Sequence, residues 1–303
     1  MIQALLDGIL VGSVISLGAI GLTMVMHLLR FANFSHAELL TIGAYVALVF
    51  DRLFEAIVPA TKSAVGPLSL TFALFLAILA SMVLTGLSAV VIDRLVFKRI
   101  RETAGPLSMV FASFGVALIV RSVISLIFGL KPRLYSDDII MAVTISTEPH
   151  LLVKPDQVFV FGAALAIMLV LHLVLSRTTF GYALRAVAEN PTLAQVAGVR
   201  LSTVIAVTWI VGGALAGAAG VFHALDNQVS PVIGQNFVLA VFAATIAGGI
   251  GSVYGAVIGG FLVGIAFGLA LVILPPGYSP AMPFLIILAV LFIRPQGIFG
   301  ELR

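Results

Sequence analysis

Four polar side chains stand close together at the start of an apolar run, in the segment RFANFSHAELLTIGAY that covers residues 30–45. Asn33, Ser35, His36 and Glu38 offer hydrogen-bond donors, hydrogen-bond acceptors and one carboxylate. Beside a membrane span, such groups suit weak, successive contacts with a polar solute that must also be released. They equally suit a capped helix start, because Asn33 or Ser35 could cap the helix and Glu38 would favour its N-terminal dipole.

A single arginine, Arg121, stands within an otherwise apolar run from Leu107 to Leu130. A charge near the centre of a spanning helix costs about 2.5–3.5 kcal/mol on insertion scales, so it needs a partner or water. Two interpretations follow from this cost. Arg121 either snorkels outward or pairs with a carboxylate of the bundle, or it faces a solute pathway and meets an anionic group.

A glycine-rich run, GGIGSVYGAVIGG, covers residues 248–260. Non-helical backbone inside a membrane survives only where protein or water satisfies it, and paired interruptions in a transporter point to its pathway. Close helix packing through small residues explains the same glycines, and the two explanations are compatible. We predict that this run and residues 30–45 approach each other near the bundle centre and line a route. The residues assigned to the route are Asn33, Phe34, Ser35, His36, Glu38, Gly43, Arg121, Gly248, Gly249, Gly251, Ser252 and Gly255.

Several kinds of chemistry lack their signatures in this sequence. Cysteine is absent, which excludes disulfides, thiol nucleophiles and thiolate metal sites. No pair of histidines has metal-ligand spacing with a carboxylate, so we predict no metal site. The patterns GxSxG, HExxH and GxxxxGK[ST] do not occur, and we predict neither an enzyme nor an ATPase.

The composition predicts a membrane protein. Hydrophobic residues make up 61% of the chain and charged residues 10%, against about a quarter charged in soluble domains. The mean hydropathy is +1.22. We predict an all-α fold: a polytopic transmembrane helical bundle of about eight spans plus one short or re-entrant element, forming one domain over residues 1–303. The apolar segments are 4–29, 37–58, 68–97, 107–130, 158–175, 204–225, 237–251, 254–274 and 281–293.

Lysine and arginine set the expected orientation, because they concentrate in cytoplasmic loops. We therefore place three basic regions in the cytoplasm and the N-terminus and the polar stretch 131–157 outside. The first apolar segment lacks a basic leader and is predicted to be a retained span. The basic regions are Arg94 to Arg101, the polar segment 177–200, and the C-terminus with Arg294 and Arg303.

The segment 177–200, RTTFGYALRAVAENPTLAQVAGVR, is too long and too polar for an ordinary connection. The Asn-Pro pair in its middle predicts a helix cap, so we expect a short helix, a turn and a second short helix ending near Gly198. Arg185 and Glu189 have i,i+4 spacing on the first of these helices. We predict a docking surface for a soluble partner, formed by Gly181, Arg185, Ala186, Ala188, Glu189, Asn190, Pro191, Ala194 and Gly198.

Four motifs in the same order make the chain resemble the permease subunits of bacterial branched-chain amino acid ABC importers. They are RFANFSHAELLTIGAY, GYALRAVAENPTLAQVAGV, AGGIGSVYGAVIGG and FIRPQGIFG, and the resemblance covers nearly the whole chain. It implies a permease domain in the bacterial inner membrane, a second related permease, two cytoplasmic ATPase subunits and a periplasmic solute-binding protein. It also implies that segment 177–200 couples to the ATPase, which would hold ATP and Mg²⁺, whereas this chain would bind no cofactor and no nucleic acid.

The chain departs from the usual family pattern near the presumed route. Met26-His27 stands where a Tyr-Gly pair is common, Ala37 where Gly is common, and Arg121 where arginine is rare. These departures leave the substrate open. Relatives of this architecture also carry urea, short amides and aromatic or other carboxylates.

A function of a different class also fits the sequence. An ion-coupled secondary transporter acting alone would use Glu38, His36 or Arg121 as a proton or ion site. Co-purification with an ATPase, or a neighbouring gene that encodes GxxxxGK[ST], separates this alternative from an importer subunit.

Overall fold

The structure is a computed structural model, and it describes residues 1–63, 68–136, 142–147 and 150–300. The expected polytopic helical membrane bundle is confirmed. In the described ranges, six helices are long and apolar enough to cross a membrane. The helices are α1 Ile2–Leu29, α2 His36–Ile57, α3 Phe72–Ile92, α4 Lys98–Thr103, α5 Pro106–Phe128, α6 Pro155–Arg177, α7 Thr179–Glu189, α8 Pro191–Val196, α9 Leu201–Asp226, α10 Ile233–Gly248, α11 Val253–Ile273 and α12 Met282–Ile293.

Each apolar segment predicted from the sequence overlaps a helix, with ends that differ by up to six residues. The six candidate spans are α1, the continuous helix Phe72–Thr103, α5, α6, α9 and α11. Helix α2 has a spanning length of 22 residues but carries several charged side chains, and α10 and α12 are shorter apolar helices. Between α3 and α4 the helix widens into a π-turn, Asp93–Phe97, so it continues past the predicted end at Phe97.

Small residues determine which helices pack closest. Gly8, Gly12 and Ser16 recur every four residues along α1 and therefore share one face. They meet Gly260 and Gly264 of α11, where an added Cβ would run into the opposing helix. Ser16 Oγ also donates to a backbone carbonyl of α11 at 2.9 Å. This close approach places α1 at the centre of the bundle, with most of its side chains buried.

The polar stretch before α6 contains a β-hairpin that the sequence analysis did not predict. Strands β1, Val143–Thr147, and β2, His150–Val153, pair in antiparallel fashion. Upstream of the hairpin, the backbones of Arg133 and Val229 exchange hydrogen bonds of 2.9 and 2.8 Å. The exchange fastens the segment after α5 to the connection between α9 and α10.

Candidate translocation pathway and coupling surface

The polar segment between α1 and α2 is buried in the bundle. Asn33, Ser35, His36 and Glu38 are each at most 3% exposed. Ser35 occupies the cap position of α2, yet its hydroxyl donates to Asn33 Oδ1 at 2.7 Å and neither side chain caps the helix. The capping interpretation is therefore wrong, because the two candidate caps bond to each other.

Three buried polar atoms of this segment lack a hydrogen-bond partner among the described residues: Asn33 Nδ2 and both ring nitrogens of His36. The backbone of Gly18 lies near the His36 ring without reaching hydrogen-bond geometry, and Gly21 leaves room for the ring against α1. An unsatisfied buried donor or acceptor costs about 1–3 kcal/mol. These atoms therefore retain unused hydrogen-bonding capacity inside the bundle.

Arg121 joins three helices through its guanidinium. Its Nε and Nη2 donate to Oε1 of Glu38 at 3.1 and 2.5 Å, and its Nη1 donates to Gln235 Oε1 at 2.8 Å. The other carboxylate oxygen of Glu38 accepts from Thr41, whose hydroxyl in turn accepts from the Gly234 backbone N–H. Of the two interpretations of Arg121, the structure contains the pairing with a bundle carboxylate, which links α5 to α2 and α10.

The Glu38–Arg121 pair is asymmetric in exposure. The side chain of Glu38 is 2% exposed and that of Arg121 is 24% exposed. Charged partners attract each other strongly in a low-dielectric environment, where an unpaired charge would be very costly. Arg121 therefore neutralises Glu38 while keeping part of its guanidinium at the surface of the bundle.

Phe34 forms the apolar part of the same region. Its ring stacks between Phe114 of α5 and Phe242 of α10, with centroid distances of 4.0 and 4.5 Å. Its backbone N–H donates to Ser113 Oγ at 3.1 Å. The stack lies about two helical turns from the ion pair, because Phe114 and Arg121 are seven residues apart on α5.

The glycine-rich run packs against α1 and between α10 and α11. Gly248 and Gly255 bring α10 and α11 so close that an added Cβ on either would meet the other's backbone. Ser252 caps α11 by accepting from the Gly255 N–H, and the Gly251 N–H donates to Thr23 of α1; both distances are 3.0 Å. The packing explanation of these glycines is thus present in the structure.

Two further glycines of the predicted route also lie in close packing. Gly249 has a φ of 104°, and a Cβ there would meet the C-terminal segment at Gly300. Gly43 faces Gly217 of α9, and its carbonyl accepts from Ser81 of α3 at 2.7 Å. The structure therefore gathers residues 33–38, Arg121 and α10 into one polar region, and it sets these glycines among packed helices.

Five residues of this polar region were absent from the sequence prediction. A signal existed for one of them, because Gln235 belongs to a Gln-Asn pair inside an apolar run and Arg121 needed partners. The phenylalanines carried no signal, since phenylalanine recurs throughout the apolar segments. The five residues are Thr41, Ser113, Phe114, Gln235 and Phe242.

Segment 177–200 folds as predicted into two short helices, α7 and α8. Asn190 caps α8, accepting from the N–H groups of Thr192 and Leu193 at 3.1 and 3.0 Å. Gly198 follows with a φ of 89°, a left-handed conformation that glycine adopts without strain. Of the nine residues assigned to the docking surface, Gly181, Ala188 and Ala194 are buried, and Arg185, Ala186, Glu189, Asn190, Pro191 and Gly198 are exposed.

Apolar side chains project from the two short helices. Tyr182, Leu193 and Val196 are 61%, 65% and 84% exposed. Exposed apolar groups that cluster on an otherwise polar segment are typical of a protein-binding surface. None of these three larger side chains was among the residues assigned to the surface from the sequence.

Arg185 supports the corner between α6 and α7. It donates to the Leu175 carbonyl at 2.9 Å, and its guanidinium carbon lies 5.0 Å from the centre of the Tyr182 ring. Despite the i,i+4 spacing, no ion pair joins Arg185 to Glu189 in the described part of the chain. The arginine therefore positions α7 against the end of a spanning helix.

Comparison with known families decides what kind of bundle this is. The profile of the family described as "Branched-chain amino acid transport system / permease component" matches residues 4–291. The chain belongs to this family. This permease is therefore a multi-pass membrane protein from a family of transport components.

Named relatives match this permease over nearly its whole length. It is 29% identical to the high-affinity branched-chain amino acid transport system permease protein BraD of Pseudomonas aeruginosa, over 99% of this chain and 96% of BraD. It is 27% identical to LivH of Escherichia coli K12, with the same coverage. It is 28% identical to a probable LivH of Methanocaldococcus jannaschii, over 98% of this chain and 92% of the relative. No solved structure matches the chain significantly.

Proposed function

We propose that this permease is the membrane subunit of an ATP-driven importer for branched-chain or similar apolar amino acids. The observation that carries the proposal is the capped pair of short helices, α7 and α8, exposed on a chain of this permease family. A permease without an ATPase of its own needs a surface on which a soluble ATPase can act. Tyr182, Leu193 and Val196 supply such a surface.

The proposed assembly contains a second homologous permease, two cytoplasmic ATPase subunits and a periplasmic solute-binding protein. ATP and Mg²⁺ bind in the ATPase, and hydrolysis there alternates the permeases between outward and inward openings. Our chain carries out no covalent chemistry in this assembly. It provides a route of weak contacts and transmits movement, because a route that bound its solute tightly would not release it.

The proposed route runs along residues 33–38, Arg121 and α10. Support comes from the unpartnered atoms of Asn33 and His36 and from the partly exposed guanidinium of Arg121. The aromatic stack of Phe34 offers an apolar surface beside these polar groups. A branched-chain amino acid combines the same two features, an apolar side chain and a zwitterionic head.

The proposed orientation places this permease in the bacterial inner membrane, with its N-terminus periplasmic and its C-terminus cytoplasmic. Support comes from the basic residues around α4, α7 and α8, since such residues collect on the cytoplasmic side. The docking surface on α7 and α8 then faces the cytoplasm, where the ATPase resides. Arg303, one of the basic residues behind this orientation, lies outside the described residues.

Co-purification and transport test the proposal together. The tagged permease is expressed with its operon partners, and a retained ATPase that drives leucine uptake into proteoliposomes is the expected result. Val196→Asp places a charge on the most exposed apolar side chain of α8 and should release the ATPase without preventing membrane insertion. Val196→Ala is the matched control and should keep the complex.

Two outcomes would contradict this function. Uptake by the permease alone, driven by an ion gradient, would make it a secondary transporter. An assembled, ATP-dependent complex that carries urea, an amide or an aromatic carboxylate in place of leucine would keep the architecture and change the substrate.

A further inference from the structure

A cavity lies beside the C-terminal half of α2 and the segment that follows α5, away from the polar region described above. Its volume is about 350 Å³, which is within the range of small-molecule sites. Two of the five residues that line it are arginines, and the other three are apolar. They are Leu48, Arg52, Pro132, Arg133 and Leu134.

The two arginines are available to an anionic group. Both are exposed, and the ion pairs within the described ranges involve other basic side chains. Arg133 donates one N–H to the Phe128 carbonyl at 2.9 Å, which orients its guanidinium while leaving its other donors unused by that bond. The nearest acidic neighbour in sequence, Asp51, is buried and accepts from Thr71 at 3.5 Å.

The cavity is anchored to the bundle on two sides. The backbone of Arg133 pairs with Val229, and Tyr135 donates its hydroxyl proton to the Ala44 carbonyl at 2.9 Å. Burial, with the charge of Asp51 nearby, raises the pKa of Tyr135 well above its usual value, so this donor stays protonated. The arginine-bearing segment is therefore held in place against α2.

The cavity stands at one end of the α2 face that carries the proposed route. Glu38, Tyr45 and Arg52 are seven residues apart, about two helical turns, and so lie on the same side of α2. Between the cavity and the Glu38–Arg121 pair lies Tyr45, which is buried against Phe128 and whose hydroxyl has no partner among the described residues. Polar groups thus follow one another along the seam of α2 and α5.

We propose that Arg52 and Arg133 form a carboxylate-binding site at the outer mouth of the route, which receives the α-carboxylate of an amino acid. Arginine suits this role because its planar guanidinium matches a carboxylate geometrically and is charged at every physiological pH. Both the identity of the substrate and the location of the site on the outer side of the membrane rest on the proposed function. A phospholipid phosphate presents similar chemistry, so the experiment must separate the two sources.

The test uses the natural absence of cysteine. Leu134→Cys puts one thiol on the exposed wall of the cavity in the full-length permease within its bilayer. The rates of modification by an anionic and a cationic methanethiosulfonate reagent are then compared. Anionic modification should be the faster, and Arg52→Gln or Arg133→Gln should lower the anion-to-cation ratio by about tenfold. Millimolar leucine should slow the modification, whereas leucinamide, which lacks the carboxylate, should not.

Control variants keep the result interpretable. Lys131→Gln removes a neighbouring exposed charge that does not line the cavity and should leave the ratio and the protection unchanged. Arg133→Lys retains the charge if Arg133→Gln fails to fold. Modification rates do not depend on transport, so a permease that fails to couple to an ATPase would still show leucine protection, whereas a permease for a solute without a carboxylate would not.

Three results would overturn the site. Equal rates of modification by the two reagents would mean that the electrostatic potential of the cavity does not attract anions. A preference for the anionic reagent that disappears when phospholipid replaces a sugar detergent, without leucine protection, would assign the cavity to a lipid phosphate. An anionic preference that leucine does not protect, in bilayer and detergent alike, would mean that the cavity does not receive the carboxylate of an amino acid.

Discussion

The guanidinium of Arg30 holds the last turn of α7, with its Nη2 donating to the Ala188 carbonyl at 3.2 Å. Arg30 follows the final residue of α1 and has a φ of 55°, the one positive φ of a non-glycine residue in the described ranges. Its side chain thus ties α7, which carries part of the proposed docking surface, to the segment that leads into residues 33–38. A movement of α7 imposed by an ATPase would reach the proposed route through this contact.

Loss of the Arg30 contact should weaken coupling. We expect Arg30→Ala to lower the number of leucine molecules transported per ATP several-fold, because a hydrogen bond from a charged donor contributes about 1.5–3 kcal/mol. Arg30→Gly loses the same bond but relieves the left-handed backbone, so it separates the contact from the strain. Both variants should retain the ATPase on purification. Unchanged coupling in Arg30→Ala would show that movement reaches the route by another path.

Removal of Arg121 should cost more stability than removal of the whole ion pair. Arg121→Leu leaves the Glu38 carboxylate buried without a counter-charge, at a cost of about 3–5 kcal/mol. The double variant Glu38→Gln with Arg121→Gln keeps two groups that can hydrogen-bond and buries no charge. Thermal unfolding in detergent should therefore rank the double variant above Arg121→Leu. The reverse order would mean that the pair is not buried as described.

Glycines of the predicted route should respond to substitution as packing residues. At Gly255, a Cβ would meet the Gly248 carbonyl across the α10–α11 contact, so Gly255→Ala should cost about 1–3 kcal/mol of stability. Gly162 of α6 has open space around it, and Gly162→Ala should be neutral or stabilising by up to about 1 kcal/mol. Thermal unfolding of the two variants measures the difference. A Gly255→Ala variant that keeps full stability and loses transport would favour a pathway role.

Labelling of single cysteines should establish the orientation. A cysteine at Lys131, which is exposed after α5, should react with a membrane-impermeant reagent added from the periplasm. A cysteine at Thr192, exposed on α8, should react only after the cytoplasmic side is opened. The natural chain lacks cysteine and so supplies the unlabelled background. The opposite pattern would reverse the proposed topology.

Local signals in the sequence determined the elements of this permease. Apolar length identified the spanning helices, because a helix in lipid must satisfy its own backbone. The Asn190-Pro191 pair identified the junction of α7 and α8, because a cap acts on N–H groups only two or three residues away. The free-energy cost of a charged side chain among apolar residues indicated that Arg121 needed a partner. The sequence did not identify that partner.

Only the tertiary structure decided which residues meet. Arg121 bonds to Glu38 and Gln235, and Phe34 stacks with Phe114 and Phe242. These residues are too far apart along the chain for any local sequence rule to pair them. In a membrane bundle the spanning helices are apolar on every side, so their sequences carry little periodic signal of which face is buried. Close approach between small residues, such as Gly8 with Gly264, sets the helix neighbours instead, and it depends on the shapes of two surfaces at once.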